Sequence, residues 1–582
     1  MLCAGLFAGC ANRGVGPQGG PQDTIPPVPL SSEPALGTVN FSGNRIEVTF
    51  NEYLQLDNIA SNLLMSPPQS NPPDVKARGK KLIVQFKDTL HDSTTYTIDF
   101  GDAVCDYHEK VPLKGYSFYF STGDEIDTLE TVGRVYEASS LNPMEGLLVG
   151  IHRNQADSAL VRIPFLRIAK SDSEGYFRIG NIHPGAYRLY ALDDISRDYR
   201  LTIGESMGFA DSLLEVSAAD SLPKNTALFV FKEEQERLYL QRTLRDKQHK
   251  IQLFFSSRPD SVPSFRALRP SEVDSAWSDS TWVDPMDYTH VHYSAHRDTV
   301  TLWLTDSVAI GRDSLFFETR YRRTDSLNRL EWYTDTLRVI WRAPKLTAKA
   351  QEALERENRN RRLELKTNAR IGFDINDTLW LSCSTPIARV DTSAVYLYAK
   401  EDTLRTPVPF VLSPTDTLPQ RLVVLADLEP GKGYELCLDS GALHDVYGTT
   451  HVSANYPLHL KTLADYSVLR VKLVPFVPMA RIQLLNSKDE VLRELPATEE
   501  GAVFEHLKPE GYYMRLYIDA DGNGKWTTGS WEVKRQPELI YYYPEKIQTK
   551  SNWEFEQEWD YQAVEMLKSK PKELIKAVTK KK

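Results

Sequence analysis

The sequence predicts an all-β protein made of tandem antiparallel β-sandwiches, and three observations predict it. First, apolar residues alternate with polar ones over short runs: Ile46, Val48 and Phe50 around Glu47 and Thr49, then Leu82, Val84 and Phe86, then Tyr96, Ile98 and Phe100, then Phe118 and Phe120. A period of two turns one set of side chains to a core and the other to water. Second, turn residues break these runs about every 8 to 12 positions, the spacing of a sandwich. Asp-Thr-Leu or Asp-Ser-Leu recurs at Asp88, Asp127, Asp313, Asp325, Asp335, Asp377, Asp402 and Asp416. An Asp side chain closes a turn on its own backbone and the residues after it enter a strand, so the repetition reads as strand punctuation, not chemistry. Third, 582 residues exceed what one core can serve. At about 100 to 200 residues per domain the chain divides into roughly four to five, strung like beads.

Composition narrows the partners. Lys and Arg number 69 against 79 Asp and Glu, a net charge of −10, which is the wrong sign for covering nucleic-acid phosphates. The five cysteines (Cys3, Cys10, Cys105, Cys383, Cys437) are odd in number and show no CxxC spacing, so they predict neither a disulfide framework nor a zinc site. Beyond the first residues no run of 18 apolar residues occurs, and nothing in the body of the chain can span a bilayer as a helix.

From the N-terminus, Leu2 to Gly9 is apolar but short for a secretory signal and has no basic residues before it. It reads as a truncated signal whose start codon lies upstream. Phe7-Ala8-Gly9-Cys10 resembles the lipobox of bacterial lipoproteins. That resemblance implies cleavage before Cys10, lipidation of its thiol and a membrane anchor, since several acyl chains hold stably where one is marginal. The alternative is a free cysteine in a stray apolar terminus. Residues 11–23 form a tether: no hydrophobic periodicity, and Gly and Pro continuing to Pro27. Such a stretch reaches roughly 25 Å as a coil, enough to clear lipid headgroups.

The sandwiches follow in order. Residues 24–123, with Pro26-Pro27, Pro34 to Gly37, IEVTF followed by Asn51 and Glu52, LHDSTTYTIDFGDAVCD and FYFSTGD, resemble the SbsA-type bacterial Ig-like domain. Residues 366–463 look like a diverged second copy, with GYELCLDSGALHDVYG and YPLHLKT in corresponding places. Residues 126–232, through VGRVYE and SEGYFRIGNIHPGAYRLYALDD, resemble the carboxypeptidase-regulatory or transthyretin-like sandwich. GAVFEHLKPEGYYMRLYIDADGNGKW repeats that order within 464–545, Asp519 standing in the place of Asp193. The chain is thus expected to hold two pairs of Ig-like plus transthyretin-like domains, an internal repeat. Between the pairs, 236–344 carries KIQLFF, HVHYSA, DTVTLWLT, DSLFFETRY and DTLRVIW, a middle sandwich with no family resemblance. Residues 345–365, rich in Ala, Glu, Arg and Leu without proline, predict a charged helical linker. Residues 546–582 predict a C-terminal helix and basic tail, either solvated or in contact with anionic headgroups or a partner.

Candidate sites are few. In DADGNGKWTTGSWE, Asp519, Asp521 and Asn523 alternate as oxygen donors, with Gly524 where an EF-type calcium loop turns sharply. The twelfth position is Ser530 instead of a bidentate glutamate, and Glu532 falls two residues late. Two readings therefore stay open, a Ca2+ loop and an Asx-rich turn that needs no ion. DDISRD, with Asp193, Asp194 and Asp198, is the weaker counterpart in the first copy. GESMG fits the G-x-S-x-G elbow around Ser206, but an elbow needs a strand-to-helix turn in a parallel sheet, and this segment lies in a predicted sandwich with no helix-period sequence after it. The 12 histidines form no HExxH, and no phosphate or dinucleotide loop is present. No enzyme is predicted. The aromatics are either core residues, as expected for Tyr187, Tyr513 and Trp303, or a sugar-stacking platform.

Lipobox, tether and serial sandwiches together resemble the multidomain Ig-like outer-membrane lipoproteins of Bacteroidota. The resemblance implies a non-enzymatic, lipid-anchored scaffold at the outer membrane that binds other proteins, such as an accessory subunit of an assembly or secretion complex. The alternative is a surface glycan-binding lipoprotein for nutrient uptake. Ala11, Asn12 and Arg13 follow Cys10 where surface-exposed relatives carry acidic residues, so the side of the membrane is left open.

Overall fold

The computed structural model describes residues 23–576 except 203, 220–221, 234–236, 274–283, 295, 326–328, 343–346, 348–351, 353–361, 402–403 and 416–417. Cys10 and nearly all of the tether, most of the 345–365 linker and the last lysines lie outside the described residues. The fold is almost entirely β: the longest α-helix among the described residues is Ser307–Gly311.

The first sandwich stacks a four-stranded sheet, in order Pro29–Glu33, Arg45–Phe50, Lys81–Gln85, Asp74–Arg78, on a three-stranded one of Leu64–Ser66, Thr95–Asp99 and Ser117–Ser121. The alternation seen in sequence is the burial pattern: Ile46, Val48 and Phe50 are inside with Leu82, Val84, Tyr96, Ile98, Phe118 and Phe120. Residues 363–462 repeat this plan, with Leu365–Thr367, Trp380–Cys383, Leu418–Ala426 and Phe410–Thr415 in the same order. Two anchors recur. The Tyr96 hydroxyl accepts the His91 N–H at 2.7 Å, and Tyr434 accepts Glu429 N–H at 2.8 Å. Buried Asp106 takes the N–H groups of His108, Glu109 and Val111, while Asp445 takes those of Tyr447 and Thr449. The shared Asp of AVCD and LHD is therefore a turn anchor, its carboxylate satisfied by backbone.

The second and fifth sandwiches also share one plan. Each sets a three-stranded sheet on a larger one. The three-stranded sheets are Tyr176–Ile182, Leu129–Glu137, Lys224–Val230 and Ala502–Leu507, Ser467–Leu473, Glu554–Trp559. In both, the last strand pairs parallel to the first, and the short Ile371–Phe373 pairs parallel to Ala454–Leu460 in the fourth sandwich. Glu554–Trp559 corrects the expectation of a C-terminal helix from 546: this strand completes the fifth core, with Trp559 2% exposed. The helix-like residues after it form only 3-10 turns, Met566–Lys568 and Lys572–Leu574, because Pro571 between them cannot continue a helix. Pro184 and Pro509 precede matching strands whose Tyr187 and Tyr512 hydroxyls donate to the His183 and Lys508 carbonyls. The middle sandwich pairs Leu240–Lys247, Lys250–Phe255, Thr299–Leu304 and Thr289–Tyr293 against Ser264–Ala267, Ser314–Thr324 and Leu330–Ile340. The 345–365 stretch ends in the fourth sandwich: Leu363 lies in its core and Leu365–Thr367 is its first strand.

The bead arrangement does not hold. The fifth sandwich lies against the second: Leu141 shares a core with Leu485, Tyr513, Tyr517 and Tyr542, and Trp531 joins Tyr190, Phe209 and Phe231. The first and second meet through buried Arg167, which donates to the Ser66 and Thr95 carbonyls and reaches Asp127 at 3.4 Å. The fourth and fifth meet through Asp374 and Lys508 at 3.3 Å and a Tyr466 hydroxyl that accepts Ile375 N–H.

His152, in the second sandwich against Phe165 and Tyr190, is 3% exposed, and burial pushes its imidazole down to about 4. Its ordinary value is about 6.5, so below that pH the unfolded chain binds the proton more tightly, and stability is lost as pH falls from about 6.5 towards 4. The His152→Leu variant is expected to lose up to about 2 kcal/mol less than wild type between pH 7 and 4.5. Chemical denaturation at the two pH values measures this, and equal losses in both proteins would contradict it.

Candidate functional site

The acidic segment after Gly511–Ile518 is the base of an arm that reaches from the fifth sandwich onto the second. Asp519 Oδ1 accepts Asn523 N–H at 3.0 Å and Oδ2 accepts Gly524 N–H at 2.8 Å, and Gly524 turns with φ 75°, where a side chain would be strained. Asp521 accepts the Thr527 hydroxyl at 2.8 Å, which holds its carboxyl below the usual range. The third carboxylate is Glu538, just before Ile540–Tyr542. It accepts Ala520 N–H at 2.7 Å and Thr527 N–H at 2.9 Å, and its carbonyl takes Trp526 Nε1–H at 2.9 Å. Burial, with Asp521 and Asp519 adding repulsion, raises the Glu538 carboxyl against those N–H groups.

Carboxylate oxygens of Asp519, Asp521 and Glu538 come within 4.8 Å of one another, an all-oxygen set of the kind hard cations take. Asn523 does not join: its amide oxygen accepts Lys525 N–H and its nitrogen donates to Thr527. Glu532 is exposed in the turn that the pairing of Ser530 with Arg535 closes. Glu538 escapes a spacing search because it arrives after the arm, outside the twelve-residue window; an acidic residue next to the following strand is the signal that finds it.

Between Gly524 and Glu538 the arm carries Trp531, whose ring meets Tyr190 and Phe209 edge-on at 5.5 and 5.4 Å. Gly529 lies on the Phe231 ring, leaving no room for a Cβ. Polar contacts frame the tip: Gln536 donates to the Phe209 carbonyl and to Asp211, Thr528 to the Lys232 carbonyl, and Trp531 N–H to Glu233. A second dock completes the interface. The Lys570 ammonium, 3% exposed, reaches Asp489 at 2.8 Å, the Ser140 carbonyl at 2.7 Å and Asn142 at 2.8 Å. Burial lowers Lys570 and the Asp489 carboxylate opposes the shift.

The other sequence candidates are not brought to this arm's acidic base. In DDISRD, Asp194 accepts the N–H groups of Asp198 and Tyr199, and Glu205 those of Ser196 and Thr202, closing the loop on itself. Ser206 precedes the strand Met207–Phe209, and its carbonyl accepts Asp193 N–H. A strand where an elbow needs a helix leaves no oxyanion geometry. Tyr187, Tyr513 and Trp303 are core residues. Cys105, Cys383 and Cys437 are buried thiols, Cys383 pushed up to about 12 by burial.

The fold and the arm define a class, a multidomain β-sandwich protein whose loops are spent on joining its own domains. Within it, residues 23–122 match the family model of the bacterial Ig-like domain, so the first sandwich is Ig-like. Comparison with curated proteins gives no match. Similar solved structures include the S-layer protein SbsC, at 10% identity over 87% of this chain and 67% of that one, TM-score 0.13. Another is BcpA, the major pilin subunit of Bacillus cereus, at 6% identity over 75% and 99%, TM-score 0.12.

Two outcomes follow for the arm. Trp531→Ala removes a buried indole at a cost of about 3 kcal/mol, and is expected to separate the fifth sandwich from the second, read as new protease cleavage near 524–536 and a larger radius in solution scattering. An unchanged radius and cleavage pattern would refute the docking role. Because backbone N–H groups already satisfy the carboxylates, melting with Ca2+ and with a chelator should agree within about 1 °C; a rise of several degrees with Ca2+ would mean that an ion stabilises the folded loop.

Proposed function

We propose that this protein is a non-enzymatic, lipid-anchored scaffold of the bacterial outer membrane, an accessory subunit of a protein-assembly or secretion complex. The observation that supports the reading is the internal docking. Trp531 and Lys570 hold sandwiches from opposite ends of the chain together, which keeps a row of domains from swinging freely and gives partners one fixed surface. Cys10, through its lipobox-like neighbours, supplies the anchor, and the Gly- and Pro-rich stretch after it supplies the reach. The loops that carry active sites in other sandwiches are here consumed by turn anchoring and domain docking.

Two measurements in the native bacterium test this. Cys10→Ser is expected to move the protein from the membrane to the soluble fraction and abolish fatty-acid labelling; unchanged fractionation removes the anchor. Gentle detergent extraction and affinity purification are expected to recover a membrane β-barrel at a fixed ratio, lost on high-salt stripping no faster than the scaffold itself. A clean monomer that binds polysaccharide tightly would replace the scaffold with a glycan receptor.

A further inference from the structure

We infer that the strand Leu330–Ile340 in the middle sandwich is a strand-addition site, which receives an extended segment of a partner protein carrying acidic side chains at alternate positions. The strand is the end of its sheet, paired on one side only, with Ser314–Thr324. That pairing runs unbroken over 11 residues without a register shift. Several other edges are blunted. Pro29–Glu33 begins at a proline and is bulged, Phe410–Thr415 holds Pro414 and a shift, Val491–Pro496 ends in proline with a shift, and Leu240–Lys247 shifts twice. Short, kinked or proline-bearing edges are how sheets refuse further strands. Leu330–Ile340 has neither proline nor bulge.

The ladder fixes which groups are free. Trp341 N–H donates to the Asp313 carbonyl and Asp325 N–H to the Arg329 carbonyl, so the odd-numbered residues from Glu331 to Val339 bond to the neighbouring strand in this register. Trp332, Thr334, Thr336, Arg338 and Ile340 therefore turn both N–H and C=O to the open edge, with no hydrogen-bond partner there among the described residues. The same residues lie on the outer face of the sheet, because Leu315, Phe317 and Tyr321 opposite their odd-numbered neighbours are buried. An incoming strand would meet a row of main-chain donors and acceptors beside Trp332, which is 56% exposed.

Charge selects the occupant. On this outer face Arg266 is tied to Glu272 and Glu318, and Arg322 to Asp260. Arg320 stacks on Trp332 at 4.8 Å and Arg338 lies by the Phe316 ring at 5.8 Å, and neither has a carboxylate partner among the described residues. Arg320 is opposite Thr334 and Arg338 is on the edge strand itself, so carboxylates at alternate positions of an added strand reach both. A second copy of this chain would set the same guanidinium-bearing edge against itself. Asp335, the acid in mid-strand on the inner register opposite Thr319, discourages unselective pairing while leaving the outer face open. The inference is independent of the membrane anchor, since it needs only the middle sandwich's free edge.

The test uses the full chain and two synthetic peptides in which valine alternates with aspartate or with lysine. The aspartate peptide is expected to bind and to slow hydrogen exchange at the amides of Trp332, Thr334, Thr336 and Arg338. The lysine peptide is expected to bind about fivefold or more weakly, from two lost charge pairs, and Arg320→Glu with Arg338→Glu should reverse the order. Thr334→Pro with Thr336→Pro removes two outward N–H groups without touching the ladder to Ser314–Thr324, and is expected to abolish binding. Retained slow exchange in Ser314–Thr324 shows that this variant still folds; if it does not, the charge-reversal pair decides alone. Equal binding of both peptides, no new protection, binding that survives the prolines in the folded variant, or an edge already protected in the free chain by a second copy or by residues 343–361, would each overturn the proposal.

Discussion

The arrangement of the whole chain depends on one buried cation. The Lys570 ammonium lies between the second and fifth sandwiches with Asp489 and the oxygens of Ser140 and Asn142 as partners. Stripping water from an ammonium and a carboxylate costs several kcal/mol each, and the cost is recovered only when every donor and acceptor finds its partner. The Asp489 carboxylate also takes the Tyr542 hydroxyl at 3.0 Å. Two of the ammonium's three partners, Ser140 and Asn142, belong to the second sandwich and the third, Asp489, to the fifth, so the network is complete in one relative placement of the two and broken in others. The apolar contacts of Trp531 and Leu141 drive the surfaces together; the Lys570 network sets the register at which they stop.

The two docked domains are copies of one plan, yet they meet through unlike surfaces. The difference lies in a single connection. In the second sandwich the stretch between Gly185–Leu192 and Met207–Phe209 is tied down by Asp194 and Glu205, each satisfied by backbone of its own loop. In the fifth, the corresponding stretch from Asp519 to Ile540 is fastened at its base by Asp519, Asp521 and Glu538, with Trp526 bonded to the Glu538 carbonyl, and its tip carries Trp531 onto the second sandwich. Carboxylates that close a loop in one copy brace an arm in the other. An acidic loop of this kind looks like a metal site in sequence because both uses ask for the same thing, oxygen acceptors converging on a tight glycine turn.

The sandwiches were legible in the sequence because their signal is local. Ile46, Val48 and Phe50 show their burial in a six-residue window, and the Asp106 and Asp445 turns announce themselves by residue type. The parallel closing strands were harder. Glu554–Trp559 has charged residues at three of its six positions, Glu554, Glu556 and Glu558, with polar Gln557 among them, and its partner Ser467–Leu473 is remote in sequence, so its neighbourhood read as the start of a helix. The fold-back left no local trace at all: Arg515 donates to the Ser139 carbonyl across 376 residues. Glu538 belongs to the same class, since only the closed arm brings it beside Asp519.

Docking also determines what remains available for contact. With the second and fifth sandwiches committed to each other, and the first and fourth tied to them through Arg167 and through Asp374 with Lys508, the middle sandwich is the domain not enclosed by the repeat. It meets the fourth through the ring contact of His249 with Tyr447 at 5.1 Å and where Thr289–Tyr293 lies against Leu418–Ala426. The second and fifth sandwiches spend Tyr190, Phe209 and Trp531 on each other, whereas the middle one keeps Trp332 and Arg338 on a continuous strand at the end of a sheet, with Arg320 on the strand beside it. A scaffold needs both kinds of domain: some whose surfaces are exhausted in holding a shape, and at least one whose main-chain edge is left to bind. Exposed backbone along 11 residues is an aggregation hazard that short or bulged strands elsewhere in this chain avoid, so its retention here is best explained by a partner strand that covers it.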